Sequence, residues 1–330
     1  MSALVRAELA RVRARTVVWG TALVLVVAAL GFVVAAWDDT RPPSAQQVAD
    51  AQVRLDEALV DFELHVDERV ARCEELQGEP PGGSGFEESC REVYAAPTID
   101  RFLPYRQELT ETFERRLQPM TWVVLVGTLV MGVSLVSADL ASGAMGTWLT
   151  FAPRRGRVLL SRLVAGLAAS VPVVLAALGA GALGIVAVLA WNGSLGTEHG
   201  WAAQELASIT WRALTVGLWA TAVGVGLAFA LRHAAAVAGV AVWWVAAVES
   251  ALPLIFPVAR AATLGTSLRA WVDGGTSWLS DECVPDPVLG EVCTTVEHAV
   301  SQTQGGLVLL VVAVASVGLG ALVFRLRDVA

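Results

Sequence analysis

Few ionisable side chains in this chain stand where they could do chemistry. Glu249 is the one acid inside a long apolar run, and Arg212 stands at the edge of the run before it. Counted from Arg232 and His233, which separate the two runs, both fall at comparable depth. An ionisable group at mid-bilayer costs about 2.5–3.5 kcal/mol on insertion scales, so such a group usually faces protein or water. Two readings are open: a polar lining group of a translocation path, or an ion pair between helices. The four histidines, His65, His199, His233 and His298, lie far apart without H-x-x-x-H spacing, so no metal site is expected. There is no G-x-S-x-G and no identifiable nucleophile–base pair, so no catalytic residue is expected. Gly179-Ala-Gly181-Ala-Leu-Gly184 matches G-x-G-x-x-G, but it lies inside an apolar run with no strand before it and no ribose-binding acid after it. It reads as a surface where helices approach closely. Asn192-Gly193-Ser194 has the form of a glycosylation acceptor, a triplet that also arises by chance.

One absence removes whole classes of chemistry. The 23 basic residues are all arginine. A P-loop needs a lysine on the β/γ-phosphates, and Schiff-base and Ser-Lys chemistry need one too. If ATP drives this protein, another chain binds it. Nor is there a basic stripe for nucleic acid; the formal net charge is -8. No cofactor is expected.

The elements that carry these residues are apolar. Of 330 residues, 55% are hydrophobic and 16% charged, and the mean hydropathy is +0.60, values that point to a membrane protein. Runs at 16–36, 120–138, 163–190, 213–231, 234–256 and 305–324 each approach or exceed the roughly 20 residues a bilayer core requires. The third is long enough that it must tilt, kink at Pro172 or protrude. Residues 1–15 read as a basic amphipathic helix, with Val5, Leu9 and Val12 on one face. A cleaved signal peptide is the competing reading, but no convincing A-x-A site precedes Trp37. The arginines at 11–15, 154–162, 232 and 325–327 all fall on one side if the chain starts in the cytoplasm. The expectation is therefore an all-α integral membrane protein of the cell membrane with both termini inside. Its outer segments are 37–119, 191–212 and 257–304; its inner ones are 139–162 and the tail 325–330.

The four cysteines then all lie outside, where disulfides persist. Cys73–Cys90 and Cys283–Cys293 pair near to near, the alternative being four free thiols. Within 37–119, the apolar positions Val48, Leu55, Leu59, Phe62, Val66, Val70, Cys73 and Leu76 mark one stripe of a long helix. Tyr105, Leu109, Phe113 and Leu117 mark a second, so a disulfide-clamped helical hairpin is expected.

The inner segment after the second run carries the richest pattern. It reads Asp139, then Gly146-Thr147-Trp148, Phe151 and Pro153-Arg154-Arg155. Trp148 and Phe151 offer apolar surface and the arginines charge. On the residues alone this is either a short helix that docks into a partner's groove or a solvated loop. The segment resembles the coupling segment of ABC-2-type transporter permeases, the type V exporter family. Asp139, Gly146, Thr147, Leu149, Pro153 and Arg155 match its acid, Gly-Thr, Leu and Pro-basic positions. Residues 1–15 look like that family's elbow helix, and Pro257 to Ser280 look like its outer re-entrant element. The resemblance implies a permease subunit that pairs with a second permease, as homo- or heterodimer, and is driven by two cytosolic ABC ATPase subunits. The large outer domain departs from the minimal pattern. It keeps open an ABC-linked mechanotransmitter that acts on an extracellular partner. A secondary transporter is the remaining rival, and it should show more intramembrane charge than one acid.

Overall fold

The computed structural model describes residues 2–77, 90–151, 154–196, 199–286 and 290–326. The chain divides into two compact units, residues 1–38 with 108–330, and residues 39–107.

The first unit opens with α1 (Ser2–Arg13) and α2 (Thr16–Thr40). The run Val-Leu-Val-Val-Ala-Ala gives α2 no polar face, and Pro42-Pro43 keeps the helix from continuing beyond Thr40. In the second unit, α3 (Ala45–Gln77) and α4 (Cys90–Val93) are joined by the Cys73–Cys90 disulfide. The chain returns to the first unit through α5 (Leu109–Thr112), a π-helical turn (Phe113–Leu117) and α6 (Met120–Ala141). A short helix α7 (Ala144–Phe151) precedes α8 (Arg155–Asn192) and α9 (His199–Leu231). The next span is α10 (Ala234–Trp243), a π-helical stretch (Trp244–Ala251) and α11 (Leu252–Ile255). A 3-10 turn (Pro257–Ala262), α12 (Leu264–Asp273), β1 (Gly275–Asp286), β2 (Gly290–Ser301) and α13 (Gln302–Leu326) complete the chain.

Among the described residues, six helical segments are long and apolar enough to cross a membrane, consistent with a multi-pass membrane protein. α9 lies at the centre and packs on α6, α8 and α13. Glycine allows these approaches. A Cβ at Gly224 would lie 2.6 Å from the Leu129 carbonyl of α6, and one at Gly226 2.6 Å from the Ser316 carbonyl of α13. Between lipid-soluble helices, such backbone contact and dispersion replace the hydrophobic drive that water would supply. The G-x-G-x-x-G segment follows the same rule within α8: Gly181 faces Leu117 and Gly184 faces Val33 of α2. Gly193 ends α8 in the left-handed conformation at φ 66, and its N–H donates to the Ala190 carbonyl, a helix C-cap. α8 runs through Pro172 and starts eight residues before the apolar run, so the long third span protrudes at its N-terminal end.

The all-α expectation needs a correction. β1 (Gly275–Asp286) and β2 (Gly290–Ser301) pair antiparallel, with Trp278 opposite His298 and Cys283 opposite Cys293. The reason is legible in retrospect: Val and Thr are dense in 292–300, and alternating polar residues suit a strand with two wet faces. Cys293 is disulfide-bonded. The side chain of Cys283, the partner expected for it, lies outside the described residues. So do the glycine-rich turn at 80–85, Pro153, Pro287 and Arg327.

The second unit carries α3 as the expected long helix. Leu55, Leu59, Phe62, Val66 and Cys73 are half-buried and Val70 is buried, while Val53, Val60 and Leu64 off that stripe are exposed. The second arm of the expected hairpin is not helical before Leu109. Residues 95–107 are irregular apart from one 3-10 turn (Ile99–Arg101), and Tyr105 is exposed. Arg106 donates from Nε and Nη2 to the Thr40 carbonyl at 3.2 and 3.1 Å, which fixes this return strand of chain.

Candidate functional site

Charges converge where the C-terminal end of α6 meets the N-terminal ends of α2 and α8. Asp139, in the last turn of α6, is buried. Its Oδ1 accepts from Arg11 Nη2 at 2.9 Å and from Arg15 Nη2, and its Oδ2 pairs with Arg162 Nη1 of α8. Arg162 Nε stands 3.1 Å from Glu8 Oε1 of α1, and these two side chains are 2% and 0% exposed. Two acids and three arginines thus share one interior site. Carboxylates and guanidiniums tolerate such burial only when each is paired, because the desolvation of an isolated charge is prohibitive. Burial pushes the Glu8 carboxyl up from its ordinary value; Arg162, Arg11 and Arg15 pull it back, and Asp139 adds to the rise.

α7 is attached to this node by one side chain. The Trp148 ring lies under two guanidiniums, 5.6 Å from Arg11 and 5.9 Å from Arg162. Cations over an indole face are held by the ring quadrupole and gain most when desolvated. Met145 is buried and Leu149 packs on the core formed by Val136, Val158, Phe229 and Phe324. One face of α7 is therefore spent on its own protein. The other presents Thr147, Thr150 and Phe151, with Phe151 84% exposed.

The segment expected to meet a partner thus separates into two groups. Asp139 and Trp148 are internal, and Arg155 donates from Nη1 to the Phe324 carbonyl at 3.0 Å and the Arg325 carbonyl at 3.3 Å. That places a cation on the C-terminal carbonyls of α13, a favourable dipole contact. Gly146 lies in α7 with open space around it. Thr147, Phe151 and Arg154 are exposed. Glu8, Arg11, Arg15 and Arg162 are the functional candidates that reading by segment missed. A signal existed in Glu8, an acid on an otherwise basic helix, and in Arg162, an arginine one residue from an apolar run.

At the other end of the bundle, Glu249 and Arg212 are not partners. The π-helical stretch turns Glu249 toward the start of α12, where Oε1 accepts from Leu264 N at 2.9 Å and Oε2 from Gly265 N at 2.8 Å. The Trp244 indole donates to Oε1 at 2.8 Å. Arg212 of α9 donates from Nη1 to the Val272 carbonyl at 2.9 Å, in the last turn of α12. An anion at the N-terminus and a cation at the C-terminus bracket this ten-residue helix, each opposing the partial charge of the helix end it meets. Glu249 and Arg212 thus meet opposite ends of α12 rather than each other.

Among the described residues no group of three or more His, Cys, Asp or Glu could hold a metal ion. Comparison with protein-family models, curated protein sequences and solved structures finds no match.

Proposed function

We propose that this chain is the membrane-spanning subunit of an ABC transporter of the ABC-2 type, an exporter permease that receives motion from separate cytosolic ATPases. The observation that carries the reading is α7. It is a short helix outside the spans, locked on one face to α1 and α8 through Trp148 and the Asp139 node, and free on the other at Phe151. A push on such a helix cannot be absorbed locally. It moves α1, α6 and α8 together, because breaking a buried ion pair costs several kcal/mol. The arginines at 11, 13, 15, 154, 155, 157 and 325 belong to elements gathered at that end, which supports a cytoplasmic assignment for it. With no lysine for a P-loop, ATP that drives this chain binds elsewhere, in this reading on two ATPase copies in a complex with a second permease. Glu249 weighs against a secondary transporter: three donors engage its carboxylate, so it is not a free proton or ion carrier.

The test is affinity purification from native membranes in mild detergent, with mass spectrometry for P-loop ATPases and ATPase assays. Burying Phe151 in a partner groove would contribute about 1.5–3 kcal/mol. Phe151→Ser should therefore weaken ATPase retention roughly 10- to 100-fold while the variant's melting temperature stays at the wild-type value. If wild type retains no P-loop ATPase, or Phe151→Ser keeps it fully coupled, the reading fails. The mechanotransmitter reading draws support from the separate, disulfide-tied unit at 39–107. Replacing that unit by a Gly/Ser linker would then leave ATPase coupling intact and abolish the effect on the outside partner.

A further inference from the structure

A cleft of about 510 Å³ opens between the end of the fifth span, α12 and the start of the hairpin. Its apolar wall is formed by Trp122, Pro253, Leu254 and Leu279, and Arg260 and Arg269 also line the cleft. Leu254, Ile255 and Phe256 next to it are 84%, 68% and 56% exposed, so the apolar wall continues onto the outer surface of the span. Both arginines are exposed and lack an ion-pair partner among the described residues; Arg260 lies only over the Trp278 ring, at 5.1 Å. Glu249, the one acid among the described residues that line the cleft, already satisfies the amides of α12. The cleft therefore joins an apolar, span-flanking wall to two guanidiniums whose acceptors are missing. Guanidinium forks suit phosphate oxygens, and aromatic side chains such as Trp122 and Trp278 favour the headgroup level of a bilayer.

We propose that this cleft binds an anionic phospholipid, with its phosphate between Arg260 and Arg269 and its acyl chains along Trp122, Leu254 and the neighbouring face of the span. The site does not depend on the ATPase reading, and it lies at the end of the bundle opposite α7. Displacing the lipid would also loosen α12, because Thr263 and Gly265 line the same cleft and form that helix's N-terminal turn.

The experiment is thermal unfolding and microscale binding of the detergent-purified full chain. Its probes are short-chain phosphatidylglycerol, phosphatidylcholine of the same chain length, and inorganic phosphate. Phosphatidylglycerol should bind and raise the melting temperature, phosphatidylcholine should bind markedly more weakly, and inorganic phosphate should have no effect. Arg260→Gln with Arg269→Gln should weaken phosphatidylglycerol binding roughly 30-fold, taking two contacts of about fivefold each. The lipid-free melting temperature should change little, since among the described residues neither guanidinium makes a hydrogen bond and both are exposed. Because a lost lipid site and a damaged fold are thereby separated, Leu254→Ser serves as the second variant and should weaken both lipids alike. Equal binding of the two lipids, full retention by the double variant, or an equal effect of inorganic phosphate would each overturn the assignment.

Discussion

Replacing Asp139 by Asn keeps the size of the side chain and removes the charge that three arginines share. In the folded protein Arg11, Arg15 and Arg162 converge on this one carboxylate, which is 5% exposed, and Arg162 is 2% exposed. At an effective dielectric of about 20, the Arg11 contact at 2.9 Å alone represents roughly 6 kcal/mol of gross attraction. Desolvation and the mutual repulsion of the arginines offset most of this sum. Removing one partner of a buried pair nonetheless costs about 3–5 kcal/mol, because the remaining charges stay buried with fewer counter-charges. The node changes from two acids and three arginines to one acid and three arginines, with Glu8 the only anion left. At about 2–3 °C per kcal/mol the expected loss is roughly 6–15 °C in melting temperature. The assay is fluorescence-detected size exclusion of detergent extracts after a heating series. Asp61→Asn provides the contrast, since Asp61 and Arg69 form an ion pair in which both side chains are about half exposed. An exposed pair contributes about 0–1 kcal/mol, so that variant should melt within about 2 °C of wild type. A shift for Asp139→Asn no larger than for Asp61→Asn would refute the claim that the node ties α1, α6 and α8 into one body.

Three further outcomes follow from the same physics. Burial raises the folded-state pKa of Glu8, so the folded protein holds its proton more tightly than the unfolded chain. The stability it contributes therefore falls as pH rises from the ordinary carboxylate range through the raised value, and Glu8→Gln should flatten the melting-temperature profile across that acidic window. A profile equally steep in the variant would contradict the assignment. Glu249→Gln and Arg212→Gln act on opposite ends of α12, so their effects should add within about 0.5 kcal/mol in a double-mutant cycle; recovery in the double variant would restore the ion-pair reading. Cys73 and Cys90 close a loop with a separation of 17 residues, and Cys73→Ser with Cys90→Ser should destabilise the unit at 39–107 by about 3 kcal/mol, measured as earlier proteolytic cleavage within α3. Unchanged cleavage kinetics would show that the bond carries no stability.

The six helices long and apolar enough to cross a membrane, the long helix α3 and the Cys73–Cys90 pairing could all be read from the sequence, because each depends on local composition or on spacing along one segment. A run such as Val24 to Ala36 is apolar on every face, whatever packs against it. The partners of Asp139, Trp148, Arg155, Arg212 and Glu249 could not be read in this way. Depth counting placed Glu249 and Arg212 at comparable depth. It could not foresee that α12 would come between them, because the π-helical stretch that turns Glu249 leaves no mark on the apolar pattern. Likewise, Asp139 was read with the segment that follows it, as docking helix or solvated loop, because it stands at the end of the second apolar run. Its environment is set by Glu8, Arg11 and Arg15 from α1 and its link to α2, and by Arg162 from α8, residues up to 131 positions away. The hairpin of β1 and β2 escaped for a different reason: its strands alternate polar and apolar residues with both faces wet, so no long apolar run marks them. Sequence alone thus determined which segments are long and apolar enough to cross a membrane; the tertiary structure decided how the few charges were satisfied, because a buried charge is stable only beside partners that the chain brings from far away.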